Sequence, residues 1–146
     1  MKIHELGHVV LYVTSMERSV SFYRDVLGFN MIASGHGFSV FSSGRNHHEM
    51  LLIEVGGEVK EKRHLEPGLY HIGFKIGDGP EAARATYKEL KEKNIPIVGT
   101  TDHGVTHSIY ILDPDGNELE LYADVSDSWK TDPTAIMAAA KRLILD

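Results

Sequence analysis

Two histidines in this chain stand at matching places in two similar stretches of sequence. His8 and His71 each come second in a segment of alternating apolar residues, GHVVLYV and YHIGFKI. Glu118 and Glu120 share one side of a later alternating segment. Two imidazoles with one carboxylate are a ligand set that holds Fe(II) or Mn(II) and leaves open positions for other molecules. A strand histidine can also be a hydrogen-bonded structural residue, so the spacing leaves both a metal site and a structural role open.

The first of these stretches predicts one strand, a helix and three more strands. Alternation predicts the first strand over residues 7–13, with Val9, Leu11 and Val13 on one face. Thr14 and Glu17 predict a capping box for a helix from about Met16 to Leu27. The remaining strands are predicted at residues 29–33, 38–42 and 48–55.

The second stretch repeats that order. A strand is predicted over residues 70–76, and Pro80 is placed to open a helix that ends near Asn94. A strand at 97–101 and a hairpin within 103–122 complete the set. The hairpin turn is predicted at residues 113–117, DPDGN, whose side chains suit a tight turn. Both stretches therefore predict β-α-β-β-β, an internal repeat of pattern with little identity between the halves.

Two such halves related by pseudo-symmetry would place their first and last strands around one cavity. Alternation then predicts which side chains line it. The predicted wall residues are His8, His48, Met50, Leu52, Glu54, His71, Tyr110, Glu118, Glu120 and Tyr122.

The repeat sets the predicted domain organisation. A single domain is predicted over residues 1–125, with a first module of about 1–55, a linker at 56–69 and a second module of about 70–125. The charged run at 58–63 is interpreted as a solvated surface. Residues 126–146 are predicted to form a connector and a C-terminal helix that begins at Asp132–Pro133. The apolar stripe of that helix indicates packing, on this chain or on a second subunit.

Composition narrows the functional classes. The chain has 146 residues and a formal net charge of −6, which argues against a nucleic-acid partner. It has no cysteine, and this excludes disulfides, thiolate metal sites and a cysteine nucleophile. We find no apolar run of transmembrane length and no signal peptide. We therefore expect a cytoplasmic protein without a membrane or nucleic-acid partner.

Four segments carry a resemblance to a known family over about residues 5–125. They are Leu6–Val9, the helix end FYRDVLGF at 22–29, Tyr70–Phe74, and YILDPDGN at 110–117 running into Glu120–Tyr122. On these segments the chain resembles the vicinal oxygen chelate superfamily, which includes glyoxalase I, bleomycin-resistance proteins, fosfomycin-resistance thiol transferases and type I extradiol dioxygenases. The resemblance implies an α+β fold of two tandem βαβββ modules that form a metal-centred half-barrel. Since members share this fold and differ in reaction, the motifs define the reaction less closely.

Within the superfamily, the chain is most similar to the small catechol 2,3-dioxygenase-like branch. The segments DHGV at 102–105 and HSIY at 107–110 resemble the part of those enzymes that carries a histidine and a tyrosine beside the metal site. The resemblance implies that His8, His71 and Glu120 are iron ligands, and that Tyr110 and His103 hydrogen-bond the substrate. The pair His48–Glu49 is similar to a His-Asp step whose histidine is the acid/base. Neighbouring His47 is the alternative for that role.

The implied activity is extradiol cleavage of a catechol-type aromatic by O₂. The implied cofactor is Fe(II), with Mn(II) as the alternative. The implied partners are the small aromatic substrate, O₂ and a second copy of the chain in a homodimer.

Three alternatives within the superfamily stay open. A glyoxalase I-like isomerase would add Glu54 as a fourth ligand and use Ni(II) or Zn(II). A thiol transferase would share the His-His-Glu set, although no K⁺-binding loop or arginine cluster is evident in the sequence. A metal-free drug-binding protein would have no use for the three ligands.

Overall fold

The computed structural model describes residues 1–59 and 66–145. The chain divides into two compact units, Met1–Lys62 with Pro114–Gly116, and Arg63–Asp113 with Asn117–Asp146. Residues 60–63 of the predicted solvated run lie outside the described residues, and so does the middle of the predicted linker. Within the described ranges, no helix has both the length and the apolar character that a membrane span requires.

The first unit is a four-stranded sheet with one helical segment, in the predicted β-α-β-β-β order. Its sheet order is β1-β4-β3-β2, in which β1 and β4 are parallel and the other pairs antiparallel. The helical segment begins as an α-helix and continues as a π-helix over Phe22–Val26. The elements are β1 (Val9–Val13), α1 (Met16–Ser21), β2 (Asn30–Gly35), β3 (Phe38–Ser42) and β4 (Met50–Glu54).

The start of α1 differs from the predicted capping box. Ser15 is the N-cap, and its hydroxyl accepts a hydrogen bond from the backbone N–H of Arg18. The Thr14 hydroxyl instead donates to Asp115, at 2.5 Å. A carboxylate from β4 takes part as well, because Glu54 Oε1 accepts from the backbone N–H of Met16 at 2.9 Å. The capping box was wrong because Thr14 and the adjacent Ser15 are both suitable N-cap residues, and tertiary contacts decide which of them caps.

Strand β4 turns a different face to the core than alternation predicted. Met50 and Leu52 pair in parallel register with Val9 and Leu11, so they share the face of β1 that is buried. They are 1% and 0% exposed. Their predicted place on a cavity wall was therefore wrong. Alternation tells which residues of one strand lie together, but the pairing of β4 with β1 decides which side is covered.

The second unit repeats the connectivity of the first. Its sheet order is β5-β8-β7-β6-β9, with β5 and β8 parallel and the other pairs antiparallel. The predicted repeat of β-α-β-β-β is thus confirmed. The elements are β5 (His71–Asp78), α2 (Pro80–Glu92), β6 (Ile97–Asp102), β7 (Thr106–Leu112), β8 (Glu118–Asp124) and β9 (Lys141–Arg142).

The predicted turn of the β7–β8 hairpin is also confirmed. The Asp113 carboxylate accepts hydrogen bonds from the backbone and the side-chain amide of Asn117, each at 2.7 Å. Gly116 adopts φ = 76°, which an L side chain rarely takes. The turn sets the register in which Tyr110 lies opposite Glu120.

The C-terminal helix is much shorter than predicted. A 3₁₀-helix spans Pro133–Met137, with Asp132 accepting from the backbone N–H of Thr134. The backbone is extended at Ala138, and the chain then pairs with β6 as β9. The Thr100 hydroxyl donates to the backbone carbonyl of Leu143. The predicted helix was wrong beyond Met137 because pairing with the edge of β6 outweighs the local helix propensity of this alanine-rich segment.

Candidate functional site

The carboxylate of Glu120 is the centre of a hydrogen-bonded cluster in the second unit. Its Oε2 lies 3.1 Å from Nε2 of His71 on the neighbouring strand β5. Its Oε1 accepts hydrogen bonds from the hydroxyls of Ser108, at 2.6 Å, and Tyr110, at 3.3 Å, on β7. Strand β8 lies between β5 and β7, so the register brings all three neighbours to one carboxylate.

Tyr110 connects this cluster to a second histidine. Its hydroxyl lies 3.0 Å from Nε2 of His103. Burial, followed by the negative charge of Glu120 and its hydrogen bond, raises the pKa of Tyr110 to about 12. Tyr110 is therefore protonated at neutral pH and able to donate a hydrogen bond.

Two of the three predicted metal ligands meet in this cluster. The 3.1 Å between His71 Nε2 and Glu120 Oε2 matches the separation of adjacent donors in an octahedral site, about 3 Å for metal–ligand bonds of about 2.1 Å. One imidazole nitrogen and one carboxylate oxygen also suit Fe(II), Mn(II) or Zn(II). Across residues 1–59 and 66–145, no group of three or more histidine, aspartate and glutamate side chains is arranged to hold a metal ion. His8 belongs to the first unit, and its role as a ligand stays a prediction.

The first unit contains a cluster of three histidine rings. The ring of His48 lies 4.5 Å from that of His8 and 4.5 Å from that of His47, measured between centroids. Nδ1 of His47 and Nδ1 of His48 are 2.5 Å apart. Desolvation, and then the positive charges of His8 and His47, lower the pKa of His48. A lowered pKa keeps His48 neutral at pH 7, the form that can accept a proton.

The loop that carries His47 and His48 is held by side-chain hydrogen bonds. The side-chain oxygen of Asn46 accepts from the backbone N–H of His48, and its amide donates to the carbonyl of Gly7. The Glu49 carboxylate accepts from the backbone N–H and the hydroxyl of Ser43, both at 2.8 Å. These contacts place His48 beside the residues that precede β1.

Glu54 does not lie where the glyoxalase-type alternative requires it. It pairs with Val13 of β1, so its exposed side chain leaves the sheet on the same face as the buried Val13 and Leu52. Its Oε1 is used as an acceptor at the start of α1. The predicted place of Glu54 on the cavity wall was wrong for the same reason as for Met50 and Leu52.

Ser108 is part of the cluster and was not among the predicted site residues. It is 0% exposed, and its hydroxyl makes a shorter hydrogen bond to Glu120 than the hydroxyl of Tyr110 does. The sequence did contain a signal, since Ser108 shares its parity with Tyr110 on β7. A serine in that position is equally typical of a small structural residue in a sheet. Only the register between β7 and β8 identifies Glu120 as its partner.

Comparison with known proteins agrees with this fold. The family model of the glyoxalase/bleomycin resistance protein/dioxygenase superfamily matches residues 5–121. The chain therefore belongs to this superfamily.

Relatives within the superfamily differ in their activities. The chain is 34% identical over 134 residues to a catechol-2,3-dioxygenase of Bacillus subtilis, with 89% of this chain and 46% of that protein covered. It is 30% identical over 123 residues to biphenyl-2,3-diol 1,2-dioxygenase 2 of Rhodococcus globerulus, covering 82% and 63%. It is 28% identical to the metallothiol transferase FosB of Staphylococcus epidermidis, covering 82% and 84%. The chain thus spans only about half to two-thirds of the two dioxygenases.

Solved structures show the same fold. A lactoylglutathione lyase from Agrobacterium tumefaciens aligns with a TM-score of 0.64 and 21% identity, covering 84% of this chain and 96% of that one. At that identity the match is informative about the fold alone.

Proposed function

We propose that the protein is a metal-dependent extradiol dioxygenase that cleaves a catechol-type aromatic with O₂. The observation that carries the proposal is the hydrogen-bonded series His103–Tyr110–Glu120–His71. It joins two of the predicted ligands to the tyrosine and histidine expected beside the substrate. Similarity to the two dioxygenases supports the same reaction.

The proposed ligands are His8, His71 and Glu120, with Fe(II) as the metal and Mn(II) as the alternative. The chemistry that such a bound ion supplies is the acidification of a coordinated catechol hydroxyl and the activation of O₂. Ser108 would hold one oxygen of Glu120 through its 2.6 Å hydrogen bond, so that the carboxylate presents the other to the ion.

The surrounding side chains would handle protons and charge. Tyr110 stays protonated because its pKa is about 12, so it donates a hydrogen bond to an oxygen of the substrate, with His103 orienting its hydroxyl. His48, neutral because its pKa is lowered, would accept a substrate proton and return it to the product. Both atoms of O₂ enter the ring-opened product, so no external reductant is needed.

The test is purification without oxygen, addition of Fe(II) or Mn(II), and assay of a catechol panel for the yellow ring-fission product and for O₂ uptake. We expect one O₂ consumed per ring opened and loss of activity on chelation of the metal. An absence of metal-dependent O₂ uptake over the panel would contradict the proposal.

A metal-dependent thiol transferase is the second candidate. The observation that favours it is the match to the FosB protein of Staphylococcus epidermidis, 28% identical over 123 residues that span 84% of that protein. Incubation of the metal-loaded protein with low-molecular-weight thiols and fosfomycin separates the two. Thiol consumption in that assay without catechol cleavage would replace the dioxygenase by the transferase.

A further inference from the structure

Glu118 and His71 face each other across two paired strands. The parallel register of β5 and β8 places His71 beside Glu118. His71 Nδ1 lies 3.6 Å from Glu118 Oε1. Both atoms are buried, and neither has a hydrogen-bond partner among the described residues. Because buried polar atoms are rarely left unpaired, two such atoms facing each other indicate an interaction that is incompletely formed in this state.

The other nitrogen of the same ring faces the second glutamate of β8. His71 Nε2 lies 3.1 Å from Glu120 Oε2, so the imidazole lies between two carboxylates. A neutral imidazole carries its proton on one nitrogen only. If Nε2 binds a metal ion, the proton is on Nδ1, and that N–H requires an acceptor.

We propose that Glu118 is a positioning residue of the metal centre, which accepts a hydrogen bond from Nδ1–H of His71 and so presents Nε2 to a divalent cation. The inference rests on the proposed role of His71 as a ligand and extends the site to a residue outside the ligand set. The present 3.6 Å exceeds a hydrogen bond by about 0.5 Å, a gap that a small rotation of either side chain closes.

The placement follows from the spacing of the two glutamates. Residues two apart on a strand share a face, so Glu118 and Glu120 both lie on the side of His71. A glutamate at 120 alone would bind the ion but leave Nδ1–H of His71 without an acceptor. Histidine ligands commonly donate their second N–H to a carboxylate, and loss of that partner costs about 10- to 100-fold in metal affinity.

The test compares Co(II) binding by the wild-type protein and by the variants Glu118→Ala, Glu118→Gln and Glu120→Gln. Glu92→Ala, which removes one exposed glutamate of α2, is the control for charge. We expect Glu118→Ala to weaken Co(II) affinity by about 10- to 100-fold. Glu118→Gln should stay within about threefold of the wild type, because its amide oxygen still accepts the hydrogen bond. Glu120→Gln should weaken Co(II) affinity more than either Glu118 variant does.

Nitrogen-15 NMR of the Zn(II)-loaded protein gives a readout that is independent of activity and of affinity. We expect the proton of His71 on Nδ1 in the wild type and in Glu118→Gln. In Glu118→Ala that proton should exchange faster with water. If Glu118→Ala does not fold, the wild-type spectrum still decides, because metal on Nδ1 or a proton on Nε2 overturns the proposal.

Two binding results would also overturn it. One is Glu118→Ala binding Co(II) as tightly as the wild type. The other is Glu118→Gln losing as much affinity as Glu120→Gln, which would make Glu118 a ligand. Failure of the proposed reaction is distinguishable, because Glu118-dependent binding without catechol cleavage leaves this inference standing, whereas a wild type that binds no metal refutes the ligand set itself.

Discussion

The two units share one connectivity, yet alternation assigned the buried face correctly for β8 of the second unit and incorrectly for β4 of the first. In the second unit, β8 reads ELELYAD, with glutamates on one face and leucines on the other. In the first unit, β4 reads MLLIE and is apolar on both faces. A strand with one polar face has one reasonable orientation, whereas a strand with two apolar faces has two. The comparison shows that alternation locates a site only where the opposite face is clearly apolar.

The units also differ in how their predicted site residues are held. In the second unit, Glu120 is hydrogen-bonded by Ser108 and Tyr110 and lies against His71. In the first, His8 is exposed and lies against the ring of His48. Within the second unit, the carboxylate of Glu120 is thus held in place by hydrogen bonds from its own sheet.

The largest expected effect is the loss of the proposed carboxylate ligand of the second unit. Glu120→Ala should abolish detectable metal binding and lower turnover by more than about 10³-fold, since removal of an outer partner alone costs up to about 100-fold. Metal analysis by mass spectrometry and O₂ uptake measure both effects. A Glu120→Ala protein that folds and turns over at the parent rate would remove Glu120 from the site.

The corrected face of β4 can be tested by a matched pair of core substitutions. Leu52→Ala should lower the free energy of unfolding by about 2–5 kcal/mol, because Leu52 is fully buried. Leu51→Ala makes the same chemical change at a partly exposed position on the other face and should cost clearly less. Urea unfolding monitored by circular dichroism measures both. A larger loss of stability in Leu51→Ala than in Leu52→Ala would mean that Leu51, and not Leu52, lies on the buried face of β4.

The histidine cluster of the first unit offers a third comparison. His48→Ala should reduce turnover by about 100-fold, the usual scale for an acid–base group, with metal content unchanged. His47→Ala should reduce it by less than about threefold. Steady-state kinetics with a metal-saturated enzyme measure this ratio. The reverse ratio would assign the proton transfer to His47.

The smallest expected effect is pH-dependent and concerns the loop that carries His48. Burial acts to raise the pKa of Glu49, but hydrogen bonds from Ser43 and Ser42 and the charge of Arg45 outweigh it and lower the pKa below its ordinary value of 4.5. The stabilisation from the ionised carboxylate is therefore complete above pH 4.5 and is lost as the pH falls through the lower, folded-state pKa.

Glu49→Gln tests this stabilisation. The substitution should lower the free energy of unfolding by about 1 kcal/mol near pH 7 and by almost nothing in strongly acidic solution. Urea unfolding over a pH series measures the difference. A cost that is independent of pH would mean that the hydrogen bonds, and not the charge, stabilise the loop.

Local patterns predicted most of the fold because each depends on neighbours in the chain. Residues close together in sequence predicted the turn at 113–117, the start of α2 at Pro80 and the order of elements along the chain in both units. The prediction for the C-terminal segment was wrong because the structure there depends on residues far away in sequence. Its alanines favour a helix locally, but the edge of β6 offers hydrogen bonds that no local pattern reveals.

The sequence by itself determined which residue types share a face of β5, β7 and β8, and so brought His71, Tyr110 and Glu120 into one hypothesis. The tertiary structure alone decided the partners: Ser108 on Glu120, Glu118 beside His71, and Glu54 at the start of α1. The physical reason is that alternation is a property of one strand, whereas a hydrogen bond across a sheet depends on the register between strands. That register is selected by the packing of the whole unit.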